Sequence, residues 1–200
     1  MSSAQFSAEI QAFTNRPTSV AFEPPSHLFI ACSTYNVHSS SISCDLTPWI
    51  ECHFSGQGPA PDVIVIGMQE ITMTPRSLIS EETQEGCDWG ALLLRDINSC
   101  SLRTGLQNGA MGPYVCLLSR QLVGMSLYVF VSGAAHAAVV SASSASLPLG
   151  VLSMFGNKGA IEARLLIGSF SLQFINCHLI PHPPNFAKRN QQVCCASLAS

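Results

Sequence analysis

Apolar residues in this chain gather in short unbroken runs, and those runs set the predicted elements. Leu28–Cys32, Asp62–Gly67, Tyr114–Leu118, Leu122–Val131, Ile161–Ile167 and Phe170–Ile175 have the length and the Val/Ile/Leu/Phe content of buried strands. Within Asp62–Gly67 the core is Val-Ile-Val-Ile, the β-branched pattern of a strand covered on both faces. Gly168–Ser169 separates the last two runs and predicts a β-hairpin. The joint between the third and fourth runs is placed at Ser119–Arg120–Gln121. Helical spacing marks Gln5–Asn15, Trp89–Ile97 and Asn185–Leu198. A further helix starts with Thr47 as N-cap and Pro48 as first helical residue and runs to about His53. Thr72–Gly86 is polar and acidic, which predicts an exposed loop with a short helix, and Ala134–Ser146 is so rich in small residues that it predicts only a weak strand near Ala138–Val140.

Polar groups collect where the apolar runs stop. Ser33–Asn36 follows the first, Gln69–Glu70 follows the second, and Asn176, His178 and His182 close the last. Polar residues at the end of a buried strand lie at the rim of a sheet, where α/β enzymes keep their chemistry. An amide and a carboxylate such as Asn36 and Glu70 suit one hard cation of the Mg²⁺ kind, which takes few protein ligands. Taken singly, Asn36 reads first as a turn cap and Glu70 as a solvated strand end. Asn157–Lys158, between Gly156 and Gly159, places an ammonium and backbone N–H groups where a phosphate docks, or is an ordinary approach to a hairpin. His178 and His182 have the spacing of a helical zinc pair, but Pro181, Pro183 and Pro184 forbid the helix, so phosphate contact is the better reading.

Composition narrows the choice. Two hundred residues make one domain, 47% hydrophobic and only 10% charged, with a mean hydropathy of +0.30, which excludes a disordered chain. The net charge is −3, and Lys158 and Lys188 are the two lysines, so no basic surface for nucleic acid is present. An anionic substrate must be held by a few placed groups or a metal ion. The nine cysteines contain no CxxC pair and read as reduced, mostly buried thiols of a cytoplasmic protein, with Cys194–Cys195 on a predicted helix and facing the core rather than palmitoylated. Met1–Ile10 lacks a signal pattern, and the apolar stretches fall short of the roughly 20 residues of a spanning helix.

Together the motifs point to a family. TYNVH (Thr34–His38), PDVIVIGMQE (Pro61–Glu70), RQLVGMSLYVFV (Arg120–Val131), FGNKGAIEAR (Phe155–Arg164), NCHLIPH (Asn176–His182) and Arg189–Asn190 occur in an order that resembles the inositol polyphosphate 5-phosphatases. Those are Mg²⁺-dependent enzymes of the endonuclease/exonuclease/phosphatase superfamily. The resemblance spans Leu28 to Asn190 and implies an α/β (α+β) fold, a sandwich of two mostly antiparallel sheets flanked by helices. Residues 1–27 would be an N-terminal extension with a short helix. Residues 28–200 would be the N-terminal half of the catalytic domain, incomplete. The resemblance further implies that Glu70 binds Mg²⁺ with Asn36 beside it, that His178 contacts the scissile phosphate, that Asn157 and Lys158 line the substrate pocket, and that His182 and Arg189 lie close to it. The implied reaction is in-line attack of water on the 5-phosphate of a phosphoinositide or soluble inositol polyphosphate, with membrane contact only through the substrate and no nucleic acid.

The departures from the family pattern are specific. Tyr35–Asn36 stands where members usually show Trp-Asn, His38–Ser39 where they show Asn-Gly, and Gly159–Ala160 where they show Gly-Gly. The family's GDxNxR motif, which positions the attacking water, its PxWCDR motif and its Asp–His pair do not occur. The expectation is therefore a chain without useful phosphatase activity alone, in which the apolar strand at Asp62–Gly67 faces water. A nuclease of the same superfamily and a non-catalytic headgroup- or partner-binding module are the alternatives.

Overall fold

The computed structural model describes residues 26–40, 42, 45–56, 58–71, 83–104, 112–149 and 158–198. Two sheets face each other. The first contains β1 (Ile30–Asn36), β2 (Val63–Gln69), β3 (Val115–Leu122) and β4 (Met125–Val131) in the order β1-β2-β4-β3. β1 and β2 run parallel, and the other pairs are antiparallel. The second sheet is an antiparallel meander of β5 (Val139–Pro148), β6 (Gly159–Ile167) and β7 (Phe170–His178). Helices α1 (Thr47–Glu51), α2 (Gln84–Arg103), α3 (Gly133–Ala137) and α4 (Phe186–Leu198) surround the sheets, and a single 3₁₀ turn at Pro183–Asn185 leads into α4.

Side-chain alternation along β2 and β4 divides the core into two layers. Ile64, Ile66 and Met68, with Tyr128 and Phe130, pack against Trp89, Leu93 and Ile97 of α2 and Ile50 of α1. Val63 and Val65, with Leu127 and Val129, point the other way and meet Ile161, Ala163, Leu165 and Ile167 of β6. Every residue of β2 is buried as a result. The expectation that Asp62–Gly67 faces water is wrong, because the three strands of the second sheet already cover it. Exposure falls instead on the sheet edges. β1 is exposed at alternate positions, Ile30 is 40% exposed, and Ile175 on β7 is 37% exposed. Between these edges the sandwich opens into a cavity of about 380 Å³, lined by residues including Thr34, Val65, Gly67, Leu127, Phe174 and Asn176.

Several elements differ from their sequence-based boundaries for identifiable reasons. The β3–β4 turn falls at Val123–Gly124, with Gly124 at φ 69°, because glycine alone adopts that backbone cheaply. Ser119–Gln121 therefore stays within β3. β5 is a full ten-residue strand despite its small side chains, since β6 pairs with it from Val139 to Pro148. α2 begins at Gln84, where the Thr83 side chain caps the helix by accepting from Gly86 N at 3.1 Å. Thr47 is inside α1 rather than at its cap, and Asp45 Oδ1 accepts its N–H at 2.9 Å. The predicted Gln5–Asn15 helix and the loop at 72–82 lie outside the described residues. The cysteines are less buried than expected: Cys87, Cys100 and Cys116 are buried, but Cys32, Cys52, Cys194 and Cys195 are exposed. α4 rests on the margin of the second sheet and buries Ala196, which leaves Cys194 and Cys195 outside the core. Among the described residues no helix is long and apolar enough to cross a membrane.

The two layers predict contrasting mutants. Phe130→Ala, which empties a fully buried site, is expected to cost about 3–5 kcal/mol in urea denaturation. Ile175→Lys at the exposed edge is expected to change stability by less than about 0.5 kcal/mol and to slow concentration-dependent light scattering.

Candidate active site

The parallel register of β1 and β2 sets Asn36 opposite Gln69, so the residues after both strands emerge side by side. The two exits are then tied together. Val37 N donates to Gln69 O at 2.9 Å, and Ser39 N donates to Glu70 O at 2.8 Å. His38, Ser39 and Glu70 all adopt left-handed backbone, with φ of 48°, 55° and 57°. Non-glycine residues in that region carry strain and cluster at functional sites.

A buried amide brings the second sheet to the same place. Asn176 of β7 donates to Ser126 O at 2.9 Å and Met68 O at 3.3 Å, and its Oδ1 accepts from Gln69 Nε2 at 2.8 Å. Gln69 Nε2 also donates to Thr34 Oγ1 at 2.8 Å, so β1, β2, β4 and β7 share one network. Gly67 makes room for it, since a Cβ there would lie 2.7 Å from Asn176 Cγ. His178, two residues on, is thereby held over the end of β2.

Four polar side chains meet there in a row. Glu70 Oε2 is 3.2 Å from His38 Nδ1, and Glu70 Oε1 is 3.7 Å from His178 Nε2. Lys158 Nζ, just before β6, is 2.9 Å from His178 Nε2. The Asn36 side chain donates to Glu70, while its Oδ1 accepts the His38 N–H at 2.9 Å. The Asn36 and His38 hydrogen bonds hold the Glu70 carboxyl below its usual range. Burial pushes His178 below 6.5, the Lys158 ammonium adds to this, and Glu70 opposes it. Burial likewise lowers Lys158, against the pull of Glu70.

The structure thus brings together Asn36, Glu70, Lys158 and His178. It gives the other sequence candidates different positions. The His182 side chain is exposed, and its backbone is left-handed at φ 74°. Arg189 donates to the carbonyls of His182 at 2.7 Å and Ile180 at 3.4 Å, so its guanidinium braces the proline-rich loop. Asn157 lies outside the described residues. Gln69 and His38 were not among the sequence candidates. The signal for Gln69 was a polar residue closing an otherwise fully apolar strand.

Among the described residues no group of three or more His, Cys, Asp or Glu side chains is placed to hold a metal ion. An ionised carboxylate and an amide oxygen at adjoining strand ends nevertheless fit a hard divalent cation, which completes its shell with water and phosphate oxygens. Glu70 and Asn36 are the residues that would hold it.

Residues 33–197 match the family described as Endonuclease/Exonuclease/phosphatase family 2. The chain belongs to that family. Similar proteins include inositol polyphosphate 5-phosphatases. It is 28% identical over 84% of its length to inositol-1,4,5-trisphosphate 5-phosphatase 1 of Schizosaccharomyces pombe. It is 30% identical over 82% of its length to type II inositol polyphosphate 5-phosphatase 15 of Arabidopsis thaliana. The chain spans only 15% and 14% of those relatives' lengths. Among solved structures, the inositol polyphosphate 5-phosphatase domain of SPsynaptojanin, in complex with inositol (1,4)-bisphosphate and calcium ion, superposes with a TM-score of 0.59 at 28% identity. That match covers 82% of this chain and 44% of the solved one. A Cimex nitrophorin, 14% identical with a TM-score of 0.52, shares the fold alone. The two-sheet sandwich flanked by helices is therefore the family's architecture, present here in part.

Two outcomes test this geometry. Asn176→Leu removes the bridging amide and leaves two buried carbonyls without their donor, which is expected to cost about 1–3 kcal/mol per unpaired group by chemical denaturation. His178 and His53 both titrate below their ordinary 6.5 through burial, so near pH 6 the unfolded chain binds more protons than the folded one. Their stabilising contribution is complete above pH 6.5 and is lost as pH falls through the folded values. The urea midpoint is expected to hold from pH 8 to about 6.5 and then decline. His178→Gln should make the decline shallower.

Proposed function

We propose that the chain supplies the cation- and phosphate-binding half of a site that hydrolyses the 5-phosphate of phosphoinositides or soluble inositol polyphosphates. The observation that carries this reading is the Asn36–Glu70–His178–Lys158 cluster at the joined ends of β1, β2, β6 and β7, in a chain whose relatives are named as 5-phosphatases. Mg²⁺ on Glu70 and Asn36 would neutralise charge developing on the phosphoryl oxygens. Lys158 and the His178 imidazole are close enough to meet one anionic oxygen together. The phosphate so held is presented for in-line attack by water. Substrate brings the protein to membranes peripherally from the cytoplasm.

Taking the proton from water needs a further group. Among the described residues, Glu70 is the carboxylate in contact with His178, and it is already engaged by Asn36 and His38. A positioned base is worth about 10²–10⁴-fold in rate. The chain alone is therefore expected to bind substrate and release phosphate poorly. The same observation favours the second reading, a headgroup-binding module without turnover.

Calorimetry with inositol 1,4,5-trisphosphate and Mg²⁺ tests binding. Phosphate release tests turnover, in this chain and in a chimera carrying the second half of the SPsynaptojanin phosphatase domain. Binding by both and turnover by the chimera alone are expected. Lys158→Ala should weaken binding by about tenfold or more, the worth of one charged hydrogen bond. His178→Ala should abolish turnover. Binding without turnover in either protein would select the module, and cleavage of an abasic duplex would select a nuclease.

A further inference from the structure

The proposed phosphatase chemistry leaves His38 unused, although the fold aims it at the cation site. Its side chain is 94% exposed, yet its backbone is held firmly against Glu70. Val37 N and Ser39 N donate to the carbonyls of Gln69 and Glu70, and the His38 N–H is taken by Asn36 Oδ1. His38 and Glu70 therefore face each other from two left-handed positions, and their side chains converge.

Resting on the reading that Glu70 and Asn36 hold a divalent cation, we propose that His38 Nδ1 is a third ligand, which makes the site a mixed nitrogen–oxygen one that strengthens the binding of borderline cations such as Co²⁺ and Zn²⁺ but not of Mg²⁺. The geometry suits this. Two ligand atoms each about 2.1 Å from an ion and at right angles to one another lie about 3 Å apart. His38 Nδ1 and Glu70 Oε2 are 3.2 Å apart. His178 is a poorer candidate for the same role, because it lies 3.7 Å from the other carboxylate oxygen and already has the Lys158 ammonium against its ring, which would repel a cation. The chemistry follows the donor atoms. Imidazole nitrogen suits Zn²⁺ and its neighbours, whereas Mg²⁺ prefers carboxylate, carbonyl and water oxygens. With one imidazole, one carboxylate and one amide, the site stays open to water and substrate oxygens.

Calorimetric titration of Co²⁺ and of Mg²⁺ into the full chain, His38→Asn and Glu70→Gln tests the inference. The exposed thiols at Cys32, Cys52, Cys194 and Cys195 are alkylated first in all three proteins, so that Co²⁺ reports on nitrogen and oxygen ligands. Asparagine tolerates the left-handed backbone of position 38, so the turn keeps its shape. The expected result is Co²⁺ affinity at least about tenfold weaker in His38→Asn with Mg²⁺ affinity changed less than about threefold, since even an outer-shell partner of a metal site is worth about 10–100-fold. Paramagnetic broadening of the His38 imidazole resonance at substoichiometric Co²⁺ should accompany it. Unchanged Co²⁺ affinity in His38→Asn, or parallel loss of both ions, overturns the proposal. If Glu70→Gln abolishes binding of both ions while His38→Asn is neutral, this inference fails and the reading of Glu70 survives. If Glu70→Gln changes neither affinity, the cation site itself is refuted.

Discussion

One buried amide, Asn176, couples the two sheets at the place where the candidate site forms. Its donors satisfy carbonyls on β2 and β4, and its oxygen takes the Gln69 amide, so a β7 side chain is bonded into the first sheet. A buried polar group of this kind is costly when unpaired and directional when paired. Hydrophobic packing between the sheets would tolerate small slides of β7 over β2. Hydrogen bonds to particular carbonyls do not, and this fixes where His178 stands relative to Glu70. Gly67 belongs to the same constraint, because the amide occupies the space its side chain would need.

The electrostatics of the site follow from that placement. Glu70 is a carboxylate at a strand exit, held ionised by donors from Asn36 and His38, while burial and Lys158 keep His178 from taking a proton. A carboxyl whose ionised form is favoured, an imidazole whose neutral form is favoured and a lysine amine thus stand in a row without any of them being fully enclosed. Such an arrangement suits a cation at one end and an anion at the other. The strained backbone at His38, Ser39 and Glu70 is sustained by the ladder of β1 on β2 and by the two hydrogen bonds that continue it beyond the strands.

The edges of the sandwich are less constrained than its centre. β2 and β4 are covered on both faces, whereas β1 and β7 border an open cavity floored by Val65, Gly67 and Leu127. In SPsynaptojanin the matched region is 44% of the solved chain, so the shared part is a frame on which further structure is built. A nitrophorin on the same frame shows that the frame itself does not choose the chemistry. The proposed chemistry rests on the polar residues at the strand ends.

Those strand ends were legible from the amino-acid sequence, because an apolar run stopped by Asn36, Glu70 or His178 announces a rim whatever the fold around it. The β-branched core of β2 and the Gly168–Ser169 hairpin were legible for the same reason, being local in sequence. Local patterns failed where a partner strand supplied the order. β5 has small side chains with little preference of their own, yet pairs along its whole length with β6. The exposure expected at β2 fell on β1 and β7, since burial depends on which strands are neighbours. The family resemblance places Arg189 close to the substrate pocket, and only the folded loop shows its guanidinium on the carbonyls of Ile180 and His182. The sequence alone thus determined which strands are apolar and which polar side chains close them, both properties of side chains taken one at a time. The tertiary structure decided which of them meet, because the Asn176–Gln69 and Asn176–Met68 hydrogen bonds join positions 107 and 108 residues apart, and the Glu70–His178 approach spans a similar distance along the chain, contacts that no local pattern encodes.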